Sequence, residues 1–120
     1  MQHKNKTKEF GRTASQRKAM YKTMLGSLIM REKIQTTEAK AKELKSRIDK
    51  IINKAKLGNN DKNKLSARRD LMKYIPEMAI KKITGDFLKR FENKNCGYSR
   101  VIKLAPRKSD GASVAVIEFI

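Results

Sequence analysis

The side chains in this sequence that can do chemistry at neutral pH are overwhelmingly cationic. His3, Lys4, Lys6, Lys8 and Arg12 stand at the start. Arg17, Lys18 and Lys22 follow at helical intervals, and Lys40, Arg68, Arg69, Arg100, Arg107 and Lys108 recur along the rest. Against 30 Lys and Arg there are 12 Asp and Glu, which leaves a formal net charge of +18 on 120 residues. Ammonium and guanidinium groups at this density neutralise phosphates and release their condensed counterions, so binding weakens steeply with salt. Residues 1–60 hold sixteen basic and five acidic side chains, and residues 61–120 hold fourteen and seven. Both halves are therefore expected to touch a polyanion.

Other chemistries lack their groups. One His and one Cys cannot build a tetrahedral zinc site, and one Cys cannot form an internal disulfide. Cys96 has no neighbouring His to activate it as a nucleophile, no Gly-rich phosphate loop occurs, and the carboxylates are scattered rather than clustered for metal-assisted hydrolysis. No catalytic residue, cofactor, metal or small-molecule substrate is expected. About 20 consecutive apolar residues would be needed to span a membrane, and a surface-lying helix would need bulky aromatic anchors. Neither pattern is present. The basic N-terminus is not followed by an apolar core segment, so a cytoplasmic protein is expected.

The elements that must position these cations can be read from periodicity. Residues 1–12 have no apolar period and read as an extended basic arm. Thr13 followed by Gln16 forms a capping box, and Met20, Met24 and Leu28 beside Tyr21, Leu25 and Ile29 predict a helix over 14–31. Arg17 falls in the arc of Met20 and Met24, where it either snorkels to an anion or is an ordinary surface arginine. A brief strand at Lys33–Thr36 ends at a Thr cap. From Glu38, the stripe Ala41, Leu44, Ile48, Ile51, Ile52 and Ala55 predicts a helix stopped by Gly58. Glu38 with Lys42 and Glu43 with Arg47 are spaced four apart as helix ion pairs. Lys40, Lys45, Lys50, Lys54 and Lys56 are not all so paired, and read either as anion contacts or as a solvated face.

Asn59, Asn60 and Asp61 predict a loop and cap. A third helix follows with Leu65, Leu71, Met72 and Ile75, broken at Pro76. A fourth holds Met78, Ile80 and Ile83, and Gly85 then precedes a short piece with Phe87, Leu88 and Phe91. Past Asn95 the period becomes two, giving strands at 98–104 and 114–119. The loop between them, Ala105 to Gly111, carries Arg107 and Lys108 and an Asp-Gly turn. Composition does not separate RNA from DNA. An architectural, nucleoid-type DNA-binding protein is the alternative, although the short loop offers only Pro106 as a wedge.

The run IQTTEAKAKELKSRIDKII, Ile34 to Ile52, resembles the signature of the bacterial large-subunit ribosomal protein number seventeen family. Met1 to Lys4, Ser15 to Met20, Ala67 to Arg69 and Gly97 to Leu104 resemble further family elements in the same order. Gln2, Gln16, Cys96 and Ser99 depart from the family's usual Arg, His, Gly and Thr. The resemblance implies a structural constituent of the large ribosomal subunit that binds ribosomal RNA and supports assembly and translation. It would sit on the outer, solvent side toward the tunnel exit, among neighbouring large-subunit proteins.

The implied fold is α+β: a two-layer α/β domain with helices packed on one face of a small mixed sheet. The expected order is helix, short strand, about three helices and a C-terminal β-hairpin. An extended basic arm over residues 1–12 precedes a single RNA-binding domain over residues 13–120.

Overall fold

The first helix, α1 (Ala14–Arg31), begins where Thr13 and Gln16 satisfy each other's backbone. Thr13 Oγ1 accepts from the Gln16 N–H at 3.4 Å, and Gln16 Oε1 accepts from the Thr13 N–H at 3.1 Å. These bonds belong to a computed structural model that describes residues 8–58 and 64–120, with Asp86 described by its backbone alone. The expected cap at Asn59–Asp61 and the first residues of the arm lie outside the described residues. The described end of the arm is turned rather than extended. Phe10 and Gly11 take positive φ, the Arg12 N–H donates to the Glu9 carbonyl at 3.0 Å, and Phe10 meets Tyr21 edge-on at 6.4 Å. A bulky apolar side chain close to the domain gains more by packing on it than by remaining in water.

Helix α1 ends at Glu32, whose φ of 65° is left-handed and whose N–H reaches the Leu28 carbonyl at 2.7 Å. The chain leaves this tight cap directly into β1 (Lys33–Thr37) and then α2 (Glu38–Leu57), whose whole expected stripe is buried. Thr37 makes no side-chain capping bond. The start of α2 instead donates from the Glu38 N–H to the Ser113 carbonyl at 3.0 Å, because the C-terminal strand begins beside it. Gly58 does end α2, but in right-handed conformation (φ −72°), so its glycine is not needed for a left-handed cap. A Cβ there would lie 2.8 Å from Ala67 Cβ. The missing side chain therefore lets α3 (Lys64–Met72) approach.

Pro76 caps α4 (Glu77–Ile83) and lies against Gly26 of α1, where a Cβ would come within 2.6 Å of the proline ring. A 3-10 helix at Asp86–Phe91 follows. Its Phe87 and Phe91 join Tyr98 and Phe119 in edge-to-face and tilted contacts, with centroids 4.9 to 5.8 Å apart.

The sheet has the order β1-β3-β2, with β2 (Ser99–Lys103) and β3 (Val114–Phe119) forming the hairpin. It is antiparallel throughout rather than mixed. Beside β2, β1 would have run parallel. It pairs with β3 instead, from Lys33 opposite Glu118 to Thr37 opposite Val114, while Ser99 to Lys103 line the other edge of β3. Ile34, Val101, Ala115, Ile117 and Phe119 face the helices, and Leu28, Ile29, Leu44, Ile48, Ile52 and Ile80 close the core from the other layer. Each fully buried Leu, Ile or Phe of this set contributes about 1.5–3 kcal/mol. The architecture is thus α+β in two layers, with helices on one face.

Candidate nucleic-acid interface

The structure separates the expected cationic residues into groups. His3, Lys4 and Lys6 lie outside the described residues, and Lys8 is exposed. Arg12 turns inward and donates to the Phe10 carbonyl at 2.8 Å, and Arg17 donates to the Arg12 carbonyl at 2.7 Å, so both brace the turn before α1. Arg68 and Arg69 are exposed on α3, with Arg68 3.5 Å from Glu77. Arg100 lies on the sheet face away from the helices, 2.8 Å from Glu118. Arg107 at the hairpin tip is 3.4 Å from Asp110, and Lys108 is exposed beside it. Lys40 is half-buried in the first turn of α2.

Of the described members of the expected set, only Arg17, Lys18 and Lys22 come together in one concavity. It is a groove of about 710 Å³ between α1, α2 and the end of α3, and α2 adds Arg47, Lys50 and Lys54 while the chain after α3 adds Lys73. The helical repeat builds its walls. Residues 14, 17, 18, 21, 22 and 25 fall along one side of α1, and 43, 46, 47, 50, 51 and 54 along one side of α2. Leu25 and Ile51 close the floor while the longer cationic side chains reach over it.

Seven cations and one carboxylate, Glu43, line this groove. Glu43 stands 3.9 Å from Arg47 Nε, close enough for attraction and too far for a hydrogen bond. Two cations are instead held on aromatic faces. The Arg47 guanidinium lies 3.8 Å from the Tyr21 ring centroid, and Lys54 Nζ lies 4.4 Å from that of Tyr74. Tyr21 is 5% exposed, yet its hydroxyl and Arg47 Nε have no hydrogen-bond partner among the described residues. Tyr74 is 44% exposed. The groove thus offers concentrated positive charge, an accessible aromatic ring and unsatisfied polar atoms.

Another face of α2 carries polar groups that bond to the segment before β2. Asp49 accepts from the Gly97 and Tyr98 N–H groups at 3.4 and 3.3 Å, and the Tyr98 hydroxyl donates to Asn53 Oδ1 at 2.6 Å, with the Lys94 carbonyl at 3.0 Å. Lys56 Nζ donates to the Tyr98 hydroxyl at 2.9 Å and to the Lys94 carbonyl. This cluster fastens the segment before β2, including exposed Cys96, onto the helix. At the start of α2, Glu38 accepts from Lys42 at 2.9 Å and Lys103 at 3.3 Å. Those bonds, Lys42's first, hold its carboxyl below the ordinary glutamate range. Their contribution is present above the unfolded-state value and lost as pH falls through the folded one.

Among the groove residues, the sequence left Lys50 and Lys54 as either anion contacts or a solvated face, and did not single out Arg47, Lys73, Tyr21 or Tyr74 as contacts. The signal for three of these groove residues was present, since 47, 50 and 54 share one side of a helix. Which side of α1 they face is set by helix packing. Among the described residues, no three His, Cys, Asp or Glu side chains gather as metal ligands, and no helix is long and apolar enough to cross a membrane.

The family model for ribosomal protein L17 matches residues 20–120. The large ribosomal subunit protein bL17 of Shouchella clausii is 40% identical over 121 residues, covering 93% of this chain and 97% of that protein. Its namesake in Thermodesulfovibrio yellowstonii is 40% identical across 100% of this chain and 87% of its own length. That of Hydrogenobaculum is 40% identical across 100% and 99%.

Proposed function

The chain belongs to the ribosomal protein L17 family, and on that premise we propose that it is a structural, non-catalytic constituent of the large ribosomal subunit that binds ribosomal RNA and supports subunit assembly and translation. Its partners in this reading are large-subunit ribosomal RNA and neighbouring large-subunit proteins, and its compartment is the cytoplasm. The observation that carries the RNA-binding reading is the groove with seven cations to one carboxylate, walled by α1 and α2.

Around this groove the remaining cations form secondary contacts: Lys8 near the arm, Arg68 and Arg69 on α3, Arg100 on the outer sheet face, and Arg107 and Lys108 at the hairpin tip. They project from separate elements, and a straight duplex meets one such face at a time. Folded RNA can surround the domain and meet several, while its 2′-hydroxyls offer polar side chains further partners. The ion pairs of Arg68 and Arg107 with Glu77 and Asp110 are exposed, and exposed Arg100 pairs with a half-buried Glu118 at the sheet surface. Such pairs are worth about 0–1 kcal/mol, so a phosphate can displace the carboxylate at little cost.

Competition at fixed ionic strength tests this. Folded fragments of large-subunit ribosomal RNA should displace random-sequence duplex DNA, and the protein should remain with large subunits through a high-salt wash. Equal affinity for both nucleic acids, with release from subunits at moderate salt, would contradict the reading.

A further inference from the structure

We infer that the groove between α1 and α2 receives an unpaired nucleotide extruded from folded RNA, its base stacked on Tyr74, with the guanidinium of Arg47 as a supporting second surface. The inference rests on the ribosomal-RNA reading above and specifies what kind of RNA feature the groove recognises. A patch that only neutralised a duplex backbone would need charge and nothing more. Single-stranded segments are held by a combination of cations that track phosphates and flat surfaces on which exposed bases stack. This groove has both.

Tyr74 is the first flat surface, half exposed at the wall with Lys54 on one face of its ring. Arg47 is the second. Its guanidinium carbon rests 3.8 Å over the centroid of Tyr21, whose own ring is braced edge-on by Phe10, and its side chain remains 42% exposed. The plane is therefore preorganised before any ligand arrives, which reduces the entropy lost on stacking. Residues 47 and 54 lie two turns apart on α2, roughly 10 Å along the helix, so one short segment can reach both planes. Lys18, Lys22 and Lys50 stand along the same walls to meet its phosphates.

The unsatisfied polar atoms point the same way. The Tyr21 hydroxyl and Arg47 Nε are buried at the groove wall without a hydrogen-bond partner among the described residues, Arg47 Nε having only the Glu43 carboxylate at 3.9 Å, a costly arrangement that a ribose hydroxyl or phosphate oxygen would relieve after a small shift of Arg47. A volume of about 710 Å³ suits a ligand larger than a single ion. The smaller cavity of about 140 Å³ beneath α3, between Ala55, Ala67, Leu71 and Ile80, has no aromatic lining.

The test uses the full chain and short hairpins from large-subunit ribosomal RNA, each carrying 2-aminopurine in a single-nucleotide bulge, with bulge-deleted versions for comparison. At equal salt the bulged hairpin should bind roughly tenfold more tightly, and the fluorescence of the bulged base should change on binding. Tyr74→Ala should abolish that preference while Tyr74→Phe retains it. Arg47→Lys, which keeps the charge and loses the plane, should weaken the bulged complex alone. Equal affinity for the two hairpins, or a Tyr74→Ala variant that weakens both alike, overturns the inference and leaves the RNA-binding reading standing. Binding of neither hairpin above duplex DNA overturns both.

Discussion

Tyr98 and Tyr21 are both buried beside α2, and their surroundings differ in one respect. By the helical step, Asp49, Asn53 and Lys56 lie on an arc of α2 about 120° from that of Arg47, Lys50 and Lys54. The core stripe occupies the third arc. Around Tyr98 three side chains of α2 close on the ring's hydroxyl and backbone: hydroxyl to Asn53 and the Lys94 carbonyl, ammonium to hydroxyl, carboxylate to two backbone N–H groups, leaving only the neighbouring Ser99 hydroxyl buried without a partner among the described residues. Around Tyr21 the hydroxyl has no partner among the described residues, and the cations outnumber their carboxylate. The first arrangement stabilises the fold without needing anything from outside. The second is stable enough to form, yet leaves charge and hydrogen-bonding capacity that only a ligand can use. Positive charge alone does not distinguish them, since each holds a lysine of α2, Lys56 in one and Lys54 in the other. Satisfaction does.

The largest expected effect comes from removing the groove's charge. Replacing Lys18, Lys22, Lys50 and Lys54 together with Gln should flatten the salt dependence of RNA binding by roughly 3 units, at about 0.7 for each single-strand phosphate that is no longer neutralised. Affinity near 0.1 M salt should fall by about a hundredfold to a thousandfold. Urea unfolding of the free protein should show unchanged or slightly raised stability, because like charges that repel have been removed. A variant that unfolds more easily while its salt slope stays the same would erase the distinction between the two regions.

The complementary change is Tyr98→Phe. Deleting that hydroxyl strands Asn53 Oδ1 and leaves Lys56 only its bond to the Lys94 carbonyl, and an abandoned partly buried polar partner costs about 1–3 kcal/mol. Equilibrium urea unfolding should register that loss, and the salt slope of RNA binding should not move. A changed slope with unchanged stability would assign Tyr98 to RNA rather than to the fold.

These two regions were unequally legible in the sequence. Local features were readable because their causes are local: the Thr13–Gln16 box, the stripe from Ala41 to Ala55, and the alternation in the last strands all depend on neighbours a few residues away. The ion pairs Glu38–Lys42 and Glu43–Arg47 were readable for the same reason. What escaped depends on pairs far apart in the chain. β1 meets β3 across some eighty residues, and nothing in KIQTT says which hairpin edge it will join, so its parallel or antiparallel sense was open. Gly58 has a role in packing against Ala67 that its position alone disguises as a cap, and Gly26 carries no local sign that Pro76 will lie on it. The groove is the same kind of object. Its cations are visible in the sequence, but the meeting of Tyr21, Arg47 and Tyr74 is made by three helices packing.

The smallest expected effect is also the sharpest test of the comparison, because the same chemical change that harms Tyr98 should be almost silent at Tyr21. Tyr21→Phe removes a hydroxyl that accepts and donates nothing among the described residues, while leaving the ring beneath Arg47 and against Phe10 intact. No partner is stranded, and the penalty of keeping an unpaired hydroxyl away from water disappears with it. The free protein should therefore keep its stability to within about 0.5 kcal/mol, with any change in the stabilising direction. Urea unfolding of wild type, Tyr21→Phe and Tyr98→Phe in parallel measures the difference. A loss at Tyr21 equal to that at Tyr98 would mean that its hydroxyl is already satisfied in the free protein, and the groove would then have no unmet hydrogen-bonding capacity at that point to offer an RNA.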